Sequence, residues 1–308
     1  VEALLSKTFQ NLSKNSIANK MAKKYGLRFG AKRFVAGSNL EQAVDCVREL
    51  NSNGMLAMLN YLGEFTNSKT SAAETTEDLL RTLDAIKDHQ LNCYLSIKLT
   101  SIGLEIGEDV CSENLQRILD KSEATDTFVR LEMEDYSNCQ KTLDIFKEMK
   151  TKYRNIGTVV QAYLYRTEND INDLNNYNAN LRLVKGAYNE SSEVAYPNKA
   201  DVDKNYKNII TTHLLNGNYA GIATHDDDAI RHTIRVAERN EIPKNNFEFQ
   251  MLHGIRPELQ KQLRDEGYKV RVYLPFGNEW FGYFMRRLAE RPENLTFVVK
   301  NTFKKGAV

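Results

Sequence analysis

Eight short β-prone runs recur from Gly54 onward: GMLAMLNYL, NCYLSIKL, TFVRLEM, GTVVQAYL, LRLVKG, AGIATH, FEFQML and YKVRVYL. Taking Tyr61, Lys98, Glu132, Gln161, Lys185, His225, Leu252 and Leu274 as their last residues, the intervals are 37, 34, 29, 24, 40, 27 and 22 residues. Those are the sizes of strand–helix units, and strict alternation of short strands with helices favours a parallel sheet. Eight units in about 250 residues can close on themselves, which predicts an α/β chain folded as a (β/α)8 TIM-type barrel. An open doubly wound sheet is the alternative. If it held a dinucleotide, a glycine-rich turn would follow its first strand, and the sequence there is GEFTNSKT.

Helix signals fill the gaps between the runs. From Glu74 to Gln90, Leu79, Leu80, Leu83 and Ile86 form one apolar stripe. Pro257 stands at a first helical turn, Gly267 closes the same helix, and Gly217 closes one that starts near Asp201. Residues 1–53 are helical in period, with Leu40, Val44, Val47 and Leu50 on one face before Asn53-Gly54. They read as an N-terminal helical extension to a barrel spanning 54–308.

Composition narrows the function. At 308 residues the chain is long enough to bury roughly three quarters of its unfolded surface. The balance of 42 basic and 41 acidic residues leaves no net basic field, which argues against a nucleic-acid partner. Cys46, Cys93, Cys111 and Cys139, spaced 47, 18 and 28 apart, match no zinc or dithiol pattern and suit a reducing, cytoplasmic compartment. No stretch near Val1 resembles a signal peptide, and no window approaches 18 apolar residues.

Barrels of this kind work at the carboxyl ends of their strands, so polar residues that close apolar runs are the candidates. They are Lys98, Glu132, Gln161, Arg182, Lys185, Thr224, His225, Gln250 and His253. Each also has an ordinary reading. Lys98 and Lys185 can snorkel at strand ends, Glu132 can serve as a salt-bridge partner, and Asp226, Asp227 and Asp228 suit a helix first turn. In WFGYFMRRLAERPEN, Tyr283, Arg286 and Arg287 share one helical face after the eighth run. Two guanidiniums there form a fork for a carboxylate or phosphate, unless Arg286 merely pairs with Glu290.

The stretches RVYLPFG, Trp280 and YFMRRLAERPENL, with FEFQMLHG, LRLVKGAY, VVQAYLYR and SIKLT, resemble the bacterial monofunctional proline dehydrogenases. The likeness runs from about Leu59 to Phe297 and takes in all eight units in order. It implies a barrel flavoenzyme that oxidises L-proline to Δ1-pyrroline-5-carboxylate through FAD, passing electrons to a quinone as the first step of proline degradation. By that match, Lys98, Arg286 and Arg287 hold the substrate carboxylate, while Tyr273 and Tyr283 wall the ring. FAD contacts fall on Met133, Gln161, Arg182, Lys185, Gly186, Ala187, Thr224 and His225, and Tyr188 lies close to the site. Catalytic roles fall on Glu132 and Arg182. The family commonly has Asp at the position of Glu132, and the extra methylene moves the carboxylate outward by about 1.5 Å. Its partner is then expected to be Lys98, Arg182 or both.

Quinone reduction implies at most peripheral contact with the inner membrane face, for which the basic segment from Lys14 to Lys32 is the candidate. A pyrroline-5-carboxylate dehydrogenase is the expected pathway partner. Other readings remain: a Schiff-base aldolase using Lys185, a metal-dependent hydrolase using Glu132, His225 and His253, or a binding barrel without turnover. The expected metal set is none.

Overall fold

A computed structural model describes residues 34–62, 66–281, 283 and 285. Its strands are β1 (Leu56–Tyr61), β2 (Cys93–Ile97), β3 (Val129–Leu131), β4 (Ile156–Gln161), β5 (Asn180–Val184), β6 (Ala220–Ala223), β7 (Phe247–Leu252) and β8 (Val270–Phe276). They pair in sequence order, all parallel, and β8 returns to β1 with Leu274 beside Leu59, closing the expected barrel. Helix α1 (Leu40–Ser52) precedes β1. Helices α2 (Lys69–Asp88), α3 (Glu108–Ala124), α4 (Tyr136–Lys150), α5 (Thr167–Asn175), α6 (Lys199–Leu215), α7 (Asp227–Arg239) and α8 (Pro257–Asp265) follow β1 to β7 in turn.

Strand positions agree with the eight runs to within two residues at their carboxyl ends. Helix starts agree less well, because apolar stripes do not register caps. Helix α2 begins at Lys69, five residues before the expected Glu74, since Ser68 and Ser71 form a reciprocal capping box. Pro257 is the first residue of α8 as expected, and α6 and α8 end two residues before Gly217 and Gly267.

Residues 1–33 of the expected extension lie outside the described residues. Within the rest of it, α1 packs on β1 and β8, where Val44, Val47 and Leu50 join one core with Leu59 and Leu274. A separate cluster of Phe34, Val35, Ile255, Trp280 and Met285 includes the start of the helix after β8.

Alternation along the strands sorts the side chains into two layers. Leu95, Ile97, Val129, Leu131, Leu181 and Leu183 are at most 1% exposed and belong to the main core. The alternate set meets inside the barrel and is polar, with several charged members. Arg271 on β8 donates through Nε and Nη2 to the two carboxylate oxygens of Glu248 on β7, at 2.6 and 2.9 Å. Tyr219 and Gln250 also donate to Glu248. The Arg271 guanidinium lies 3.3 Å from the centre of the Tyr94 ring.

Burial opposes ionisation of Glu248, yet Arg271 and the hydrogen-bond donors outweigh it, so its pKa is lowered. A carboxylate with a lowered folded pKa contributes stability in full above the unfolded value of about 4.3. That contribution is lost as pH falls through the folded value. Urea midpoints should therefore hold above about pH 5 and fall below about pH 4. Glu248→Gln should flatten that fall while lowering the midpoint at neutral pH.

Candidate active site

Glu132 follows the last residue of β3 and points into the barrel mouth, 8% exposed. Arg182 on β5 reaches across from the same interior layer, and its Nη1 donates to both carboxylate oxygens at 2.9 Å. Ser96 on β2 donates its hydroxyl to Oε1. Of the two expected partners of Glu132, Arg182 is therefore the ion-pair partner; Lys98 is not within ion-pair distance. The Arg182 guanidinium also lies 4.8 Å from the centre of the Tyr273 ring. Burial, followed by the Glu132 carboxylate, holds the Tyr273 phenol well above its ordinary pKa. Tyr273 is thus a neutral, buried wall beside an ion pair.

Lys98 lies one residue beyond β2, half-buried, with no carboxylate within ion-pair distance among the described residues. The turn after it is held by Glu134, which accepts from the Thr100 amide (3.2 Å) and hydroxyl (2.8 Å). Burial raises the Glu134 pKa, and Lys98 acts against that rise. Met133 and Gln161 are buried beside them, and the Gln161 amide donates to the Glu134 carbonyl at 3.1 Å.

The turn after β5 bends at Gly186, with φ +109°. A Cβ there would stand 2.2 to 2.5 Å from ring atoms of Tyr163, so only glycine fits. Ala187 and Tyr188 are exposed beyond it, and a cavity of about 330 Å³ opens between Tyr163, Tyr188, Glu190 and Tyr196. A larger cavity of about 430 Å³ sits at the opposite end of the barrel, beside Tyr94 and Phe128, the end that serves stability rather than chemistry in barrels of this kind.

Lys185 does not join the converging set through its side chain. It lies three residues after Arg182, which turns it outward, where Nζ donates to Asp203 (2.5 Å) on α6 and Asp226 (2.6 Å). Burial opposes its charge, but the two aspartates outweigh burial and raise its pKa. An ammonium so held is a poor amine nucleophile, which removes the main support for a Schiff-base reading. Asp226 also caps α7 by accepting from the Asp228 amide, so the aspartate run is built into a helix start.

Thr224 is buried and accepts from the Asp226 amide at 3.0 Å. His225 accepts the Leu252 amide at Nε2 (3.0 Å), which leaves the ring proton on Nδ1. Its carbonyl accepts from Arg256 at 2.7 Å. His253 has Cys46 Sγ 4.0 Å from Nε2. Glu132, His225 and His253 thus each have their own partners, and among the described residues no three His, Cys, Asp or Glu side chains gather as metal ligands.

Tyr283 is half-buried and near enough to Tyr273 to act on its phenol. Arg286 and Arg287 lie outside the described residues. Strand-end polarity alone overlooked Ser96, Arg130, Glu134, Glu248 and Arg271. All five sit two residues from a recognised position, in SIKL, VRLEME, FEFQ and VRVY, so the period-two spacing was the available signal.

Comparison with known proteins bears on this arrangement. A family model described as proline dehydrogenase matches residues 43–300. Proline dehydrogenase 2 of Bacillus subtilis (strain 168) is 50% identical over 297 residues, covering 96% of this chain and 98% of that protein. The proline dehydrogenase of Deinococcus radiodurans is 44% identical over 279 residues, covering 89% and 90%. In fold, the chain is similar to the crystal structure of proline utilization A from Bdellovibrio bacteriovorus, with TM-score 0.82 and 24% identity. That overlap takes in 93% of this chain and 36% of the larger one, so it speaks for the barrel alone. Half-identity sustained from end to end of a full-length relative, together with a family match across all eight strands, leaves one assignment: the chain belongs to the proline dehydrogenase family.

Proposed function

We propose that this chain catalyses the first step of proline degradation, oxidising L-proline to Δ1-pyrroline-5-carboxylate with FAD as its cofactor and a quinone as the final acceptor. The observation that carries the cofactor assignment is a set of buried polar atoms without partners at the carboxyl end of the barrel. Gln161 Oε1, Arg182 Nε and the Tyr163 hydroxyl have no hydrogen-bond partner among the described residues. Each such atom costs about 1–3 kcal/mol if left unpaired. A flavin ring carries both N–H and C=O groups, which is the chemistry that this mixture of acceptor and donors requires. Gly186 allows backbone to come close there, and the residues present fit the group. Met133, Gln161, Arg182, the Lys185-Gly186-Ala187 backbone, Thr224 and His225 would hold it, with the Lys185 side chain anchoring the turn from outside. When bound, FAD supplies a two-electron acceptor.

The remaining roles belong to the protein. Lys98, with Arg286 and Arg287, binds the proline carboxylate, and Tyr273 and Tyr283 enclose the ring, fixing which carbon faces the cofactor. The carbon next to the nitrogen loses its hydrogen with the electron pair, the nitrogen loses a proton, and a C=N bond forms. Arg182 presents positive charge where negative charge develops, and Glu132 with Ser96 holds that guanidinium in place. Glu132 is an orienting and electrostatic group rather than a free base, since both of its oxygens already accept hydrogen bonds.

A quinone acceptor suits a cytoplasmic enzyme that works at the inner membrane face. Among the described residues no helix is long and apolar enough to cross a membrane. The segment from Lys14 to Lys32 lies outside the described residues. A pyrroline-5-carboxylate dehydrogenase would consume the electrophilic product.

An absorption spectrum of the purified protein, followed by anaerobic addition of L-proline, tests the reading. Flavin bands that bleach on addition are expected. A protein that binds no flavin on reconstitution overturns the cofactor assignment, and flavin bands unmoved by proline overturn the substrate.

A further inference from the structure

Among the described residues, the barrel interior below the candidate active site holds one positive charge more than it pairs. Arg271 is matched by Glu248 and Arg182 by Glu132. Arg130, fully buried on β3, has no carboxylate within ion-pair distance among the described residues. Neutral oxygens alone hold it. Nη1 donates to the carbonyls of Thr158 (2.9 Å) and Asn180 (2.5 Å), and Nη2 donates to the side-chain Oδ1 of Asn180 (2.6 Å). Among the described residues Nε has no acceptor, and the Phe128 ring centre lies 5.0 Å from the guanidinium carbon. The titratable groups that face Arg130 are Tyr94 from β2, Glu132 beyond the end of its own strand, Arg182 from β5, Glu248 from β7 and His213 from α6. Burial lowers its pKa to about 10, which leaves it protonated at neutral pH.

Asn180 makes the arrangement informative. An aspartate would fit the same space and supply the missing carboxylate, and a buried charge without one is costly. The amide at 180 keeps the charge uncompensated. Arg130 stands two residues before Glu132, about 6.6 Å along the strand, on the same interior face. We propose that Arg130 is an electrostatic positioning residue: an unneutralised guanidinium beneath Glu132 and Arg182 that favours negative charge at the barrel mouth, above all the carboxylate of the bound substrate. The identity of that anion rests on the function proposed above. Over roughly 10 Å at an effective dielectric constant of about 20, one charge acting on another changes an equilibrium by about tenfold.

Asn180→Asp tests this without removing Arg130, because it gives the guanidinium its own carboxylate while preserving volume and hydrogen bonds. The measurements are equilibrium binding of cyclopentanecarboxylate to the holoenzyme, KM and kcat for L-proline, and the midpoint potential of the bound cofactor. Binding of the carboxylate should weaken by about three- to tenfold, KM should rise in step, the potential should become more negative, and kcat should change less. Thermal stability should be retained or raised, which a purely structural role for Arg130 also predicts, but without the losses in affinity. Arg130→Lys, which keeps the charge, should retain more affinity than Arg130→Met. If folded Asn180→Asp holoenzyme binds the carboxylate as the parent does, with unchanged potential, the proposal is wrong whatever the Arg130 variants do. If the parent enzyme itself neither binds the carboxylate nor oxidises L-proline, the proposed function fails instead.

Discussion

Replacing Glu132 with alanine will destabilise the fold by about 3–5 kcal/mol, because it strands the Arg182 guanidinium without its counter-charge in the barrel mouth. Both side chains are close to nine-tenths buried, so solvent offers little screening of what is lost. The double replacement Glu132→Leu with Arg182→Met removes both charges and should recover most of that stability, as buried pairs exchanged for apolar groups often do. It should not recover turnover. On the function proposed above, proline-dependent reduction of the flavin should stay depressed by about a hundredfold or more, the usual consequence of losing a preorganised charge where charge develops. Urea unfolding and anaerobic reduction rates separate the two effects. Glu132→Asp shortens the reach by about 1.5 Å, so it can keep Arg182 or Ser96 but not both at full strength, and should fall between the parent and the alanine variant. Parent-like kcat/KM in Glu132→Ala would remove the pair from the reaction.

Gly186→Ala should be comparably severe for a different reason. Its φ of +109° is open to glycine and strained for any other residue. The added Cβ would also stand 2.2 Å from the nearest Tyr163 ring atom, which cannot retreat because Tyr163 is itself 7% exposed in the main core. Backbone strain and overpacking together should cost about 3–5 kcal/mol, and, on the cofactor proposed above, the purified protein should retain little flavin. Tyr163→Leu introduced alongside Gly186→Ala should relieve the overpacking and leave the backbone strain, recovering part of the stability. A Gly186→Ala protein with the parent's urea midpoint and flavin content would show that the turn accommodates a side chain.

The architecture was legible from local pattern. Alternation within GMLAMLNYL or FEFQML and the 22- to 40-residue intervals depend on neighbours in sequence, and those same neighbours decide whether a segment is a strand or a helix. Element ends were less legible where capping polar groups rather than apolar stripes set them, as at Ser68 before α2. The candidate site was legible as a list of strand-end residues, but not as a set of partners. Strand-end position alone would have brought Lys185 and Arg182 to one place. Their spacing of three residues sends them to opposite faces, so that one meets Glu132 and the other Asp203 and Asp226.

Chain order and periodicity settle how many strands there are, that they are parallel and which end carries the candidate site, because these follow from the size and repetition of the strand–helix units. The matching of charges follows from closure. Glu132 finds Arg182 fifty residues away, and Arg271 on the last strand finds both Glu248 and the Ala57 carbonyl on the first. Among the described residues Arg130 finds as acceptors only the Asn180 side chain and the Thr158 and Asn180 carbonyls. Those distances are set by strand register around a closed ring, a property of all eight strands at once that no single segment encodes.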